Sequence, residues 1–293
     1  MFDIIDSFWP CYFRITSILY FLSYLMSFLF GFVLCLKQHF PLILRLIKRE
    51  VIGRYRASFF GLLWGFITPI ITLVIYTFVF SFVLKSRWNI NHSGSYEFSI
   101  MLFSGLIVFN LFAETMTQAS SLILNNVNYV KKVIFPLEIL PWVSLGSALF
   151  HATINFLVLF LFLALLGYPF TLSMLWLPII LLPFLLLLMG LSWFLSSLGV
   201  FVRDIGQIIG MLMTFFMFMC PIFYPLSVLP AEIAPYLYLN PLTLIIDQVR
   251  TVLIIGEQPD WLKLAYYSLI AMIVAWSGWF WFSKTRKGFA DVL

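Results

Sequence analysis

The chain has 293 residues, of which 63% are hydrophobic and 10% charged, with a mean hydropathy of +1.05 and a formal net charge of +5. So much apolar surface cannot be hidden in a water-soluble core, which excludes a soluble globular protein and leaves a polytopic, all-α membrane protein. Nucleic-acid binding is excluded as well, because the Lys and Arg residues gather at the ends of apolar blocks instead of covering one soluble face.

Seven apolar blocks follow one another, at about 8–36, 59–84, 99–124, 137–166, 174–201, 205–226 and 262–283. The first carries Arg14 and an acidic start (Asp3, Asp6). It reads as an additional spanning helix, a shallow hairpin, or an extension upstream of a start at Met26. Next comes a basic run in which Arg45, Lys48, Arg49, Arg54 and Arg56 crowd together, five of the seventeen cationic side chains. By the positive-inside rule this run faces the cytoplasm, and the segments near 125–136 and 202–204 and the C-terminal tail follow it. Within 41–57, Arg45, Lys48, Arg49 and Arg56 share one side of a helix and Leu42, Ile43, Leu44, Leu46, Ile47 and Val51 the other. Such a segment is an interfacial helix in the membrane plane or a solvated juxtamembrane basic patch.

In the third block Asn110, Glu114, Gln118, Ser121 and Asn125 recur on one helical face. That face cannot look at lipid, so it either packs by hydrogen bonds on other helices or lines a polar conduit, with His151 and Asn155 of the fourth block placed to complement it. The connection 125–141 mixes polar and apolar residues and leaves by Pro136; Lys131 and Lys132 sit beside Val133, Ile134 and Phe135, as on a docking surface. Arg203 and Asp204 form a tight turn between the fifth and sixth apolar blocks. Prolines 225, 230, 235, 241 and 259 break the region after 226 into pieces too short to cross, with two short helices predicted near 231–239 and 242–255 on the external side. Such pieces at membrane depth line a water-filled cavity or pack on protein, so this is a candidate gate or an amphipathic external loop; Asp247 and Arg250 are spaced to pair on it.

The sequence has no P-loop, no HExxH and no GxSxG, and its histidines, His39, His92 and His151, are scattered. Catalysis is therefore not expected, and no metal site either. Cys11, Cys35 and Cys220 show no CxxC spacing and read as packing residues.

Four segments in order, RLIKREVIGRYRASFFGLLWGFITPIITLVIYTFVFS, NNVNYVKKVIFPLEILP, LGVFVRDIGQI and LNPLTLIIDQVRTVLI, resemble the membrane subunits of type-2 ABC exporters that carry polysaccharide, the O-antigen, capsule and teichoic-acid permeases. The resemblance covers about 41–287; the first 40 residues depart from it. It implies a permease with a six-helix core (58–287) holding external gate helices at about 228–256, a short tail (288–293), and an inner-membrane location in bacteria. It also implies a homodimer served by two ATPase subunits that hold the ATP and Mg, with no cofactor in this chain, and a lipid-linked polysaccharide as cargo. Carried onto this sequence, the ATPase contact would be Arg54, Arg56, Asn125, Lys131, Lys132, Arg203 and Asp204. The channel or substrate surface would include Trp64, Tyr76, Phe112, Glu114, Gln118 and Tyr224. The external gate would be Tyr236, Tyr238, Asn240, Asp247 and Arg250. Rival readings are an ABC permease for a drug or small lipid, a secondary transporter, and a membrane-embedded glycan-processing enzyme.

Overall fold

The computed structural model describes residues 9–293 except 57, 85–95, 132–134, 229, 231 and 233, with side chains from residue 31 onward except those of 227, 234 and 235. The described residues form helices and turns. In order these are α1 (Trp9–Tyr55), α2 (Trp64–Tyr76), α3 (Glu97–Ser121), α4 (Val127–Val130), α5 (Leu140–Leu165), α6 (Leu177–Phe201), α7 (Ile205–Met219), α8 (Ala234–Leu237), α9 (Pro241–Arg250), α10 (Trp261–Thr285) and α11 (Phe289–Val292). A 3-10 turn precedes α2 and a π-helical stretch, Thr77–Val83, continues it; another, Thr251–Ile255, continues α9. Among the described residues, five segments are long and apolar enough to cross a bilayer: Gly61–Val83, Glu97–Ser121, Leu137–Leu165, Leu172–Phe201 and Trp261–Val292. Together with the shorter apolar Ile205–Met219 they stand where the six core blocks are predicted.

Local chemistry sets the ends. Pro141 and Pro178 lie in the first turns of α5 and α6, where a missing N–H costs nothing. Asn240 caps α9, its Oδ1 accepting from the Leu242 N–H at 3.0 Å, and Asp260 caps α10 by accepting from the Lys263 N–H at 3.1 Å. Gly256, at φ 83°, turns the chain out of the π stretch in a conformation that favours glycine.

Contacts sort the elements into two ends. At one end Arg49 donates to the Tyr129 hydroxyl at 2.8 Å, Arg286 pairs with Glu138, and the Ser197 and Thr285 hydroxyls bond at 2.6 Å. At the other, Ser173 donates to the Gly256 carbonyl, Trp176 packs edge-on to Trp261 with centroids 4.9 Å apart, and the Asp260 N–H donates to Gln248. The basic run and the tail cations belong to the first end.

The core is built around α3 and the α6/α10 pair. In its most apolar stretch α3 is 83% buried, against 17% for the α2 span, so α3 is the central helix and α2 a peripheral one. Helices α6 and α10 cross at Gly190 and Gly278, where a Cβ on Gly278 would run into the Gly190 backbone and one on Gly190 into that of Val274. Small residues at such a crossing let backbones touch, which is how helices gain packing where lipid offers no hydrophobic drive. Gly199 admits the Ser120 carbonyl of α3 in the same way. Trp193 of α6 is fully buried and meets Trp279, Trp142 and Phe32 edge-on at 5.1, 5.8 and 6.1 Å, while its indole N–H donates to the Glu138 carbonyl. Each such ring pair contributes about 0.5–1.5 kcal/mol beyond burial.

Three features depart from the sequence reading. The N-terminal block and the predicted interfacial helix are a single helix: α1 runs through Pro41 without a break. Pro41 is exposed, so its ring needs no room in the core. Whether residues 1–36 span lies outside the described side chains, Arg14 and Cys11 included. Part of the predicted apolar face of 41–57 is covered by protein, since Ile43 and Leu46 pack on Ile139 and Val143 and Ile47 fills the space beside Gly146, while Leu42 and Leu44 stay exposed. Helix α7 stops at Met219 instead of reaching 226, because Cys220 precedes Pro221 and takes an extended conformation, ψ 148°.

Candidate functional site

The polar face of α3 is real. Asn110 is exposed, and Glu114, Gln118 and Ser121 half-buried, on a helix whose other sides are covered, while the exposed Asn125 lies in the 3-10 turn just beyond its end. Glu114 is the hub. Its Oε1 accepts from Arg54 Nη1 at 2.6 Å and from Gln118 Nε2 at 3.1 Å, and lies 3.0 Å from His151 Nδ1. Arg54 Nη1 is 3.1 Å from the same imidazole nitrogen. Gln118 Oε1 in turn accepts from the Ser144 hydroxyl at 2.7 Å, and Asn125 Nδ2 donates to Ser121 at 3.1 Å. One carboxylate therefore ties the end of α1 to α3 and α5. The network is open, as the Arg54 and Glu114 side chains keep 38% and 23% of their exposure, and the other ring nitrogen of His151, Nε2, is buried without a hydrogen bond. Sequence reasoning paired His151 with this face correctly but placed Arg54 elsewhere, and it missed Ser144.

The region read as the external gate contains a different kind of polar centre. Arg250 is only 6% exposed and donates to three backbone carbonyls: Met101 from Nε and Nη2 at 3.0 and 2.8 Å, Pro221 from Nη1 at 2.6 Å, and Ile222 from Nη2 at 3.2 Å. The guanidinium thus joins α9 to α3 and to the segment after α7. Gly105 provides the space, for a Cβ there would lie 2.9 Å from Nη2. Asp247 sits one turn earlier; burial pushes its carboxyl up, with the charges of Arg250 and Lys263 opposing. Asn240, besides capping α9, donates through Nδ2 to Cys220 Sγ at 3.2 Å. Tyr236 is 71% exposed and Tyr238 is exposed. Of the first predicted gate helix, 231–239, the described part is the single turn Ala234–Leu237; the second matches α9 and its π continuation.

Around the basic end, Arg56, Asn125, Lys131, Arg203 and Asp204 are all exposed, and Lys132 lies outside the described residues. The Arg203-Asp204 turn follows α6 directly, beside the end of α3, where Gly206 approaches the Ser120 hydroxyl. Arg54 is exposed as well, and its guanidinium belongs to the Glu114 network. The aromatic candidates divide. Trp64 is exposed and packs edge-on to Phe60 at 5.7 Å, and Tyr76 is half-buried against Phe80 at 6.2 Å. Phe112 is buried in the core against Phe216 at 5.7 Å, and Tyr224 donates to the Phe218 carbonyl at 3.1 Å. Among the described residues no cluster of three or more potential metal ligands occurs.

Comparison with known proteins agrees with this architecture. The family described as ABC-2 type transporter matches residues 41–254. An O-antigen export system permease protein RfbA from Myxococcus xanthus is 28% identical over 259 residues, 87% of this chain and 96% of the relative. A protein of the same name from Klebsiella pneumoniae is 26% identical over 258 residues, 87% and 95% of the two chains. With a match extending from the basic run through α9, on a helical scaffold of five spans and a shorter sixth apolar helix, the chain belongs to the ABC-2 type transporter family and is a multi-pass membrane transport protein.

Proposed function

We propose that this chain is the membrane-spanning subunit of an exporter that moves lipid-linked polysaccharide, of the O-antigen, capsule or teichoic-acid kind, across the bacterial inner membrane. The observation that carries the reading is the partly exposed polar stripe Asn110, Glu114, Gln118 and Ser121 on the most buried spanning helix, continued by Asn125 in the turn after it. A surface of this polarity is too costly against lipid, so it belongs against a second copy of the chain or a water-filled conduit. The names of the relatives from Myxococcus and Klebsiella favour a glycan cargo. A sliding polymer needs weak, repeated contacts, for which hydroxyl, amide and aromatic groups such as Trp64, Tyr76, Gln118 and Tyr224 are suited.

In this reading two copies enclose the path. Two separate ATPase subunits, which hold the ATP and Mg, dock on Arg56, Asn125, Lys131, Lys132 and the Arg203-Asp204 turn. Their closure pushes on 125–136 and opens the seam to the lipid-linked glycan, while the segment holding Tyr236, Tyr238, Asn240, Asp247 and Arg250 closes the far end. Arg54, joined to Glu114, carries the movement of α1 into the stripe.

Depletion of the chain in its host, followed by extraction of lipid-linked glycans and surface staining, tests the cargo. The expected result is polymer accumulating on its carrier inside a bare cell. Unchanged surface glycan with no accumulation would discard this cargo in favour of a drug or small lipid.

A further inference from the structure

An open cleft of about 380 Å³ lies at the basic end, between α1, the start of the α5 segment and the end of α10. It plays no part in the transport reading. Its apolar side is made by Leu34, Pro136 and the indole of Trp279, and its polar side by Gln38, His39, Glu138 and Arg286. The volume falls within the range of small-molecule sites. Glu138 and Arg286 face each other as an ion pair, and the Glu138 backbone is fixed by the Trp193 indole. That pair uses one guanidinium nitrogen and one carboxylate oxygen, so each partner keeps hydrogen-bonding capacity for a ligand carrying both signs of charge. A ligand that is only anionic would meet the Glu138 carboxylate and lose what Arg286 offers.

We infer that this cleft binds the headgroup of a zwitterionic phospholipid with a primary ammonium, of the phosphatidylethanolamine type, from the cytoplasmic leaflet. The phosphate is recognised by Arg286 with His39 and Gln38, the ammonium by Glu138, and the first part of the acyl chains lies along Leu34 and Trp279. Three observations carry the assignment. Charges of both signs stand together, the apolar and polar linings are adjacent, and the cleft sits at the end of the bundle where the cations mark the headgroup level, a depth at which tryptophan is also favoured. A lipid held there bridges three elements distant in sequence: α1 before residue 41, the exit of the 125–136 connection, and the C-terminal helix.

The test uses the full-length chain, isolated in mild detergent, delipidated, and titrated with phosphatidylethanolamine or phosphatidylglycerol of identical acyl chains. Bound lipid per protomer is read by native mass spectrometry. The expected result is one phosphatidylethanolamine per protomer, retained about tenfold more tightly than phosphatidylglycerol, as one charge-assisted interaction gives. His39→Ala should weaken that retention several-fold, and Glu138→Gln, which removes the carboxylate that meets the ammonium, should abolish the preference. Because Glu138→Gln also breaks the ion pair with Arg286 and loosens this corner, Leu34→Trp serves as the second variant: it fills the apolar side, leaves Glu138 and Arg286 in place, and should expel the lipid. Equal retention of the two lipids by the unaltered chain, or undiminished retention by Leu34→Trp, would mean adventitious lipid only and would overturn the assignment.

Discussion

Two arginines at opposite regions of the molecule illustrate two uses of the same side chain. Arg250 is enclosed, and the contacts that fix it are carbonyls of three residues from two other segments. Arg54 is half in the open, and its partners are a carboxylate and an imidazole on two neighbouring helices. A planar cation with five donors satisfies orphan carbonyls where a helix is interrupted, and here it joins the proline-broken chain after α7 to α3. The second arrangement can come apart at little cost, because water replaces what the partners lose. The region around α9 is therefore held as a fixed structure, whereas the junction of α1, α3 and α5 is suited to rearrangement.

The largest expected effect of breaking this contrast is at Arg250. Arg250→Met leaves buried carbonyls unsatisfied and should destabilise the fold by on the order of 3 kcal/mol or more, since each orphaned buried polar group costs about 1–3 kcal/mol. Thermal unfolding in detergent measures it, and a wild-type melting point would refute the clamp. Asn240→Ala removes the α9 cap and should cost about 1 kcal/mol in the same assay. At the other region, a double-mutant cycle of Arg54→Ala and Glu114→Ala should give a coupling of about 1 kcal/mol in stability, together with loss of transport in each single variant. If either single variant melts as early as Arg250→Met, the two regions are not different in kind. The smallest effect on the fold is expected for Lys131→Glu combined with Arg56→Glu, both exposed, at within about 0.5 kcal/mol. The pair should nonetheless abolish co-purification of an ATPase subunit, and undiminished co-purification would remove these residues from the docking surface.

How much of this was legible in the sequence depends on the range of the interactions. Hydropathy located the six core segments, and helical spacing alone exposed the polar face of α3, because both are properties of consecutive residues. His151 could be named as its complement since neighbouring core helices pack side by side. Arg54 could not, as nothing in its local pattern distinguishes a cation bound to Glu114 from others in a basic run. The Arg250 partners are main-chain carbonyls and leave no residue signature at all. The continuity of α1 through Pro41 is likewise not written locally: an exposed proline is a break only if the surroundings fail to hold the helix on both sides, and here Phe32 and Ile43 are both buried against the bundle.

The glycine crossing of α6 and α10 constrains how this transporter moves. Where two backbones touch, no layer of side chains remains in which one helix could slip past the other, so α6 and α10 travel as one body, further locked by Ser197 and Thr285. Helices α2 and α7 are the reverse case: α2 buries only Pro69 and Leu73, and α7 only Ile209 and Met213. The molecule is thus a stiff mast with two loosely hung panels, and any opening that admits a large cargo swings the panels while the mast stands still.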